Sequence, residues 1–285
     1  MCAAVVHLDL DGLRHIFRVR GWVYHGEHDP VFESGLRRAL DAFAEAGVSA
    51  TLFVIAEDLD DPRKRALIES AVRRGHEIAS HSVTHERFAR FAGDRKRREI
   101  FESRDKLAQK LGVHVEGFRA PDLSIDREGL ELVAQAGYTY DTSLIAGARY
   151  AADTGIGPVP AGAYRPVAGS TLLELPLPPH GALPFPFHPS YALVLGAWYF
   201  RLGTARALNA PGPFVLLFHL IDFADPLPSA LLSGAAQRLY TLSHRGGESK
   251  SERCRQMLEH VRSRFELTTT RAIVESQKPK VESHS

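Results

Sequence analysis

The stretch AVVHLDLDG, residues 4–12, sets the reading of the whole chain. Ala4–Leu10 is a short β-rich run interrupted only by His7 and Asp9, the pattern of a strand buried in a sheet. It ends in two acids, Asp9 and Asp11, before Gly12. On a strand that spacing puts both carboxylates on one face, roughly 6–7 Å apart along the backbone. Acids at the end of a buried strand are costly unless paired or bound to a cation. One can then ligate a metal while the other reaches a nearby water. The competing reading is a solvated strand end running into an ordinary Asp–Gly turn.

Strand-like and helix-like segments alternate outward from this run. Phe32–Glu45 has apolar residues at helical spacing and stops at Gly47, and Ala50–Ile55 is an apolar strand. Pro62 opens a helix through Arg74, and His76–His81 is the next strand. Asp94–Leu111 and Asp126–Ala136 read as helices around a short strand at Gly117–Ala120. Tyr138–Asp141, Leu172–Leu177 and Phe214–Leu220 read as strands, and Ser251–Phe265 as a late helix. Repeated β–α alternation predicts an α/β fold with a mostly parallel sheet, either a barrel or a doubly wound sheet. No linker divides the chain, so a single domain over residues 1–275 and a flexible tail at 276–285 are expected. Ala146–Thr171, rich in Gly, Pro and Ala, reads as a long loop lining a site.

Composition narrows the chemistry. The 285 residues carry 35 basic and 34 acidic side chains, which gives no bulk electrostatic reason to expect nucleic acid. The basic run Arg95–Arg98 is followed by Glu99, Glu102 and Asp105, which favours a solvated, internally paired helix face. Two cysteines, Cys2 and Cys254, cannot build a disulfide framework or a thiolate metal site, so a metal would need carboxylates and some of the 14 histidines. No signal peptide or membrane-spanning run is read, and a cytoplasmic protein is expected. The apolar region Gly181–Leu220 reads as core helix and loop, with a membrane-surface element as the alternative.

In such a sheet, reactive residues gather at the carboxyl ends of strands. The third strand ends in SHSVTH, where His81 and His85 converge only if the chain coils after His81. The fourth ends in FRAP, where Arg119 either pins a carboxylate or makes a surface ion pair. YTYDTS offers Asp141, either to orient an imidazole or to cap the following turn. The apolar strand FVLLFH ends in His219, a catalyst or a satisfied core histidine.

In order and spacing, these pieces resemble the polysaccharide deacetylase family, the NodB-homology fold of carbohydrate esterase family 4, from about Val5 to Ile221. The resemblance implies a deformed (β/α) barrel of about seven parallel strands and one divalent metal, zinc first, with nickel, cobalt or manganese as alternatives. By the family's motifs Asp9 is the catalytic base, Asp11, His81 and His85 are the metal ligands, and Arg119 holds Asp9. His219 is the general acid and Leu216 lines the acyl pocket. Pro121 and Asp122 stand at the substrate, and Asp141 is a further catalytic candidate. D-x-D in place of an adjacent acid pair resembles cytoplasmic branches of the family. Glu86 stands where proline is usual after the second histidine, and the tryptophan frequent in the fourth motif is absent.

The activity implied is hydrolysis of an N-acyl group, acetyl or formyl, from an amino sugar of a small molecule, glycolipid or lipid-linked glycan. A peripheral contact with the inner face of a membrane goes with the lipid-linked case. A non-catalytic metal- or glycan-binding relative is the alternative from another class. A non-haem iron oxygenase also uses two histidines and a carboxylate, but the β–α alternation and ligand order disfavour it.

Overall fold

The computed structural model describes residues 2–88, 91–147, 155–180 and 187–277. Along the chain run β1 (Ala3–Asp9), α1 (Leu13–Arg20), α2 (Pro30–Glu45), β2 (Thr51–Val54), α3 (Pro62–Arg73) and β3 (Glu77–Ser80). Then come α4 (Gly93–Leu111), β4 (Gly117–Phe118), α5 (Arg127–Gln135), β5 (Tyr140–Asp141) and β6 (Leu173–Glu174). The remainder is α6 (Pro189–Leu195), α7 (Ala197–Ala207), β7 (Phe214–His219), α8 (Ala235–Tyr240), α9 (Gly247–Arg262), β8 (Glu266–Leu267) and α10 (Thr270–Ser276). Most expected elements appear within a few residues of where the pattern places them. The strands expected at Gly117–Ala120, Tyr138–Asp141 and Leu172–Leu177 shorten to the two-residue ladders β4, β5 and β6.

Seven strands lie in the order β6-β5-β4-β3-β2-β1-β7, and β8 joins the start of β1. All the strand pairs are parallel. The sheet curls into a half-barrel. Its edge strands β6 and β7 share no ladder, but Leu177 just beyond β6 packs with Val5, Val215 and Leu217 across the gap. That is the deformed (β/α) barrel expected.

Strand parity divides the interior. Ala4, Val6 and Leu8 of β1 and Phe214, Leu216 and Phe218 of β7 face the helices and join the large outer core. Val5, Val215 and Leu217 face inward, and so by alternation do His7, Asp9 and His219. This corrects the expected role of Leu216. Its side chain is fully buried against the helices, and Leu217, one residue on, occupies the inner face. A one-residue shift on a strand reverses the face.

Gly12 is not turn chemistry either. It precedes α1 with φ −72°, and a Cβ there would lie 2.1 Å from Asp29 Oδ2. Asp29 uses that space to accept from Leu13 N at 2.9 Å and Phe32 N at 3.0 Å, tying the starts of α1 and α2 together. Burial works against its charge, but Lys64 and these amides hold the carboxyl below its ordinary value.

Beneath the end of β7, Lys250 of α9 is fully buried and donates from Nζ to the Ile221 carbonyl at 2.7 Å. Burial pushes its ammonium down to about 8 despite Asp222 nearby. Between that value and the ordinary 10.5, the unfolded chain binds more protons, so this group makes stability rise with pH across the window. The unfolding free energy of the wild type should therefore gain on the order of 2 kcal/mol relative to Lys250→Met between pH 8 and pH 10.5. Urea titrations of both proteins read this directly, and a pH-independent difference would refute the burial of Nζ.

Candidate active site

The carboxyl ends of β1, β3, β4 and β7 converge. Asp9 is the last residue of β1 and His219 the last of β7, paired in register. Asp9 Oδ2 lies 3.8 Å from both His81 Nε2 and His219 Nε2, and Asp11 Oδ2 lies 4.0 Å from His219 Nε2. Asp11 Oδ1 sits 3.4 Å from His81 Nε2 and 3.2 Å from His85 Nε2. One ligand atom from each of Asp11, His81 and His85 falls within 4.8 Å of the other two.

The two histidines meet without a helical coil. Left-handed backbone at Ser82 (φ 68°) and His85 (φ 55°) folds the segment back and brings the rings to 4.9 Å. Such φ values cost energy for residues with side chains and persist only where neighbours impose them. Glu99 of α4 does so: it accepts from Val83 N at 2.9 Å, Thr84 N at 3.0 Å and Thr84 Oγ1 at 2.7 Å. Ser82 Oγ accepts from His85 N. Glu99 is thus buried, which corrects its reading as part of a solvated face. Lys96 is buried too, held by Asp126 and Glu128. Glu99→Gln should weaken divalent-metal binding about tenfold by loosening this loop. Competition with a chromophoric chelator measures it, and an unaltered Kd would show that the loop holds without the carboxylate.

The donor set fits a divalent cation. His81 Nδ1 donates to the Arg119 carbonyl at 2.8 Å, which fixes the tautomer and leaves the Nε2 lone pair facing Asp11. Asp11 Oδ1 and His85 Nε2 are buried and satisfied by no hydrogen bond, although close together. Burial alone would raise the Asp11 carboxyl, yet His85 and His81 hold it well below its ordinary value. Burial also works to lower His81, but Asp9 and Asp11 carry it above, whereas burial prevails at His85 and lowers it. An anionic oxygen beside two buried imidazole nitrogens is the ligand chemistry of zinc and its neighbours.

Arg119 is fully buried. It donates to Asp9 Oδ1 at 2.6 Å, to His7 Nδ1 at 2.7 Å, and to Thr142 O and Oγ1 at 3.0 and 3.1 Å. Its guanidinium also lies 3.9 Å from the centroid of Phe53. The surface ion-pair reading is thereby excluded.

Sequence reasoning passed over His7. With Nδ1 accepting from Arg119, Nε2 donates to Thr270 Oγ1 at 2.9 Å. Burial and the Arg119 charge hold His7 well below its ordinary value, so it is neutral. The chain of bonds continues through Thr51 to Glu77, where Tyr140 also donates. Parity with Asp9 could have flagged His7. Thr270, 263 residues away in the chain, carried no such signal.

The remaining candidates are placed as follows. Asp141 accepts from Ser143 N and Oγ, and Ser143 Oγ accepts from Ala120 N, so its described bonds tie two loops together. That is the turn-capping alternative. Burial raises both Asp141 and the neighbouring Glu174. Pro121 is buried and begins a 3₁₀ turn in which Asp122 has φ 55°; the Asp122 carboxylate pairs with Arg87 at 2.6 Å. His188, unnoticed in the sequence, stacks on His219 with centroids 4.4 Å apart. A cavity of about 330 Å³, not among those candidates, is lined by Glu27, His28 and Glu57. Glu57 contacts His15, whose ring is 5.6 Å from His85. Of the loop expected at Ala146–Thr171, residues 148–154 lie outside the described part.

A family model for polysaccharide deacetylases matches residues 27–140. Over that segment, two-fifths of its length, the chain is similar to the polysaccharide deacetylase family. Among solved structures of this family's fold, a putative polysaccharide deacetylase from Mycobacterium smegmatis superposes with a TM-score of 0.63 at 22% identity. The match covers 98% of this chain and 95% of that one. A probable polysaccharide deacetylase from Pseudomonas aeruginosa PAO1 gives 0.64 at 16% identity, covering 96% and 89%. At these identities the likeness concerns the fold. A bifunctional xylanase/deacetylase of Pseudobutyrivibrio xylanivorans is 28% identical over 89 residues, 31% of this chain. The matched part spans 15% of that curated relative. The family match stops at residue 140, short of the strand that ends in His219.

Proposed function

We propose that this protein is a metal-dependent N-deacetylase that removes an acyl group from an amino sugar. The reading rests on one observation above all: the buried Asp9–Arg119 pair and His219 stand beside a three-residue ligand cluster. Asp11, His81 and His85 would hold a divalent cation, zinc in the first instance, which supplies Lewis acidity that acidifies water and polarises an amide carbonyl.

Asp9 keeps one oxygen on Arg119 and turns Oδ2 toward the cluster. That oxygen is placed to take a proton from the attacking water. Arg119, gripped by Thr142 and His7, fixes the direction of the carboxylate. His219, whose ring stacks on that of His188, would give a proton to the departing amine. Without that proton, the tetrahedral species would collapse back to the amide. Asp9 and His219 thus play base and acid from two neighbouring strands.

The substrates considered first are amino-sugar small molecules and lipid-linked glycans, with acetyl or formyl as the acyl group. No helix among the described residues is long and apolar enough to cross a membrane. A metal-loaded preparation offered N-acetylated nucleotide sugars, prenyl-linked sugars and glycolipids should release free amine from one class. Chelation should abolish release, and adding back zinc should restore it. Release undiminished by exhaustive chelation would overturn metal dependence. A metal-loaded protein inert toward every class would favour the non-catalytic relative.

A further inference from the structure

We propose that the outer face of α6 and α7 docks on an anionic phospholipid surface, so that the mouth of the site opens toward the bilayer. The inner stripe of these helices is already accounted for, since Ala192, Leu193, Tyr199 and Phe200 are buried in the main core. The outer face presents Tyr191, Val194, Leu195, Trp198 and Leu202, with Trp198 54% exposed. Packing the fold does not require that second apolar face.

Charge selects the occupant. From Phe187 to Ile221 the sequence contains Arg201 and Arg206 and no aspartate or glutamate, in a chain whose charges otherwise balance. A second copy of the same face would offer these arginines no carboxylate in a two-fold interface. A layer of phosphate headgroups neutralises them while the apolar side chains enter the acyl boundary and tryptophan sits at the interface. Arg206 spends one donor on the His180 carbonyl, and Arg201 has no ion pair among the described residues.

The patch continues around the mouth. His188, the residue before α6, stacks on His219. Arg20 lies over Tyr240 at 4.1 Å. Trp22 meets the same Tyr240 ring edge-on at 6.0 Å, and Val23 beside it is 71% exposed. Arg20, Trp22, Val23 and Tyr240 form a second cluster of apolar and cationic side chains.

The test needs no enzyme assay, so its outcome is separate from that of the deacetylase reading. The full chain is sedimented with vesicles of phosphatidylcholine alone or mixed with phosphatidylglycerol. It should pellet with the mixed vesicles, lose binding as salt is raised, and ignore phosphatidylcholine. Arg201→Glu should lower the partition coefficient about thirtyfold through a two-unit change of charge, and Trp198→Ser about tenfold. Both side chains are exposed, and unchanged thermal melting would confirm that the variants fold. Absence of phosphatidylglycerol-dependent pelleting, or variants that pellet like the wild type, would overturn the proposal. A dimer in sedimentation equilibrium that Trp198→Ser dissolves, without vesicle binding, would assign the face to a second copy instead.

Discussion

On the proposed metal-dependent deacetylase reading, Asp9→Asn should lower kcat for N-deacylation by about 10³-fold while leaving divalent-cation binding intact. The amide keeps the size of the carboxylate and can still accept from Arg119, so the ligand cluster a few ångströms away retains its geometry. What it lacks is a basic oxygen at the Oδ2 position, 3.8 Å from both His81 and His219. Metal content is read by elemental analysis and kcat by amine release. Full activity in a metal-replete Asp9→Asn protein would remove Asp9 from the role of base. Loss of metal together with activity would make Asp9 a ligand.

Arg119→Met produces the largest loss of stability, about 3–5 kcal/mol, because Asp9 is left buried without its counter-charge. In a chain of this size that corresponds to a fall in Tm of roughly ten degrees. Lysine is a poor replacement. One ammonium cannot reach Asp9, His7 and both Thr142 oxygens together, as the planar guanidinium does. Arg119→Met with an unaltered Tm would show that water enters this pocket and solvates Asp9.

The two substitutions separate functions that share one ion pair. Asn at position 9 removes a proton acceptor and keeps a hydrogen-bonding partner for Arg119. Met at position 119 keeps the acceptor and removes its support. The first is therefore read chiefly in kcat and the second chiefly in Tm. Residues in such direct contact are coupled, so the double variant Asp9→Asn/Arg119→Met should lose less stability than the sum of the single losses.

Much of the site was legible because the information is local. A parallel β/α sheet gathers reactive groups at the strand ends, so Asp9, Asp11, His81, Arg119 and His219 could be picked out by their positions alone. Leu216 shows the limit of that approach. Its place in a motif suggested a pocket, and strand alternation turned it to the helices and Leu217 inward. Glu99 misled for a similar reason: helical spacing offered it arginine neighbours, and tertiary packing gave it three donors from the loop of His85.

By itself the sequence determined the β–α alternation, the edge of the sheet that bears the chemistry, and the absence of a thiolate site. Those follow from periodicity and composition, which need no knowledge of distant contacts. Tertiary structure alone decided the depth of Arg119, the tautomer of His81 and the bonds from His7 to Thr270. Each depends on atoms far apart in the chain brought within hydrogen-bond distance, where burial removes water as a competing partner.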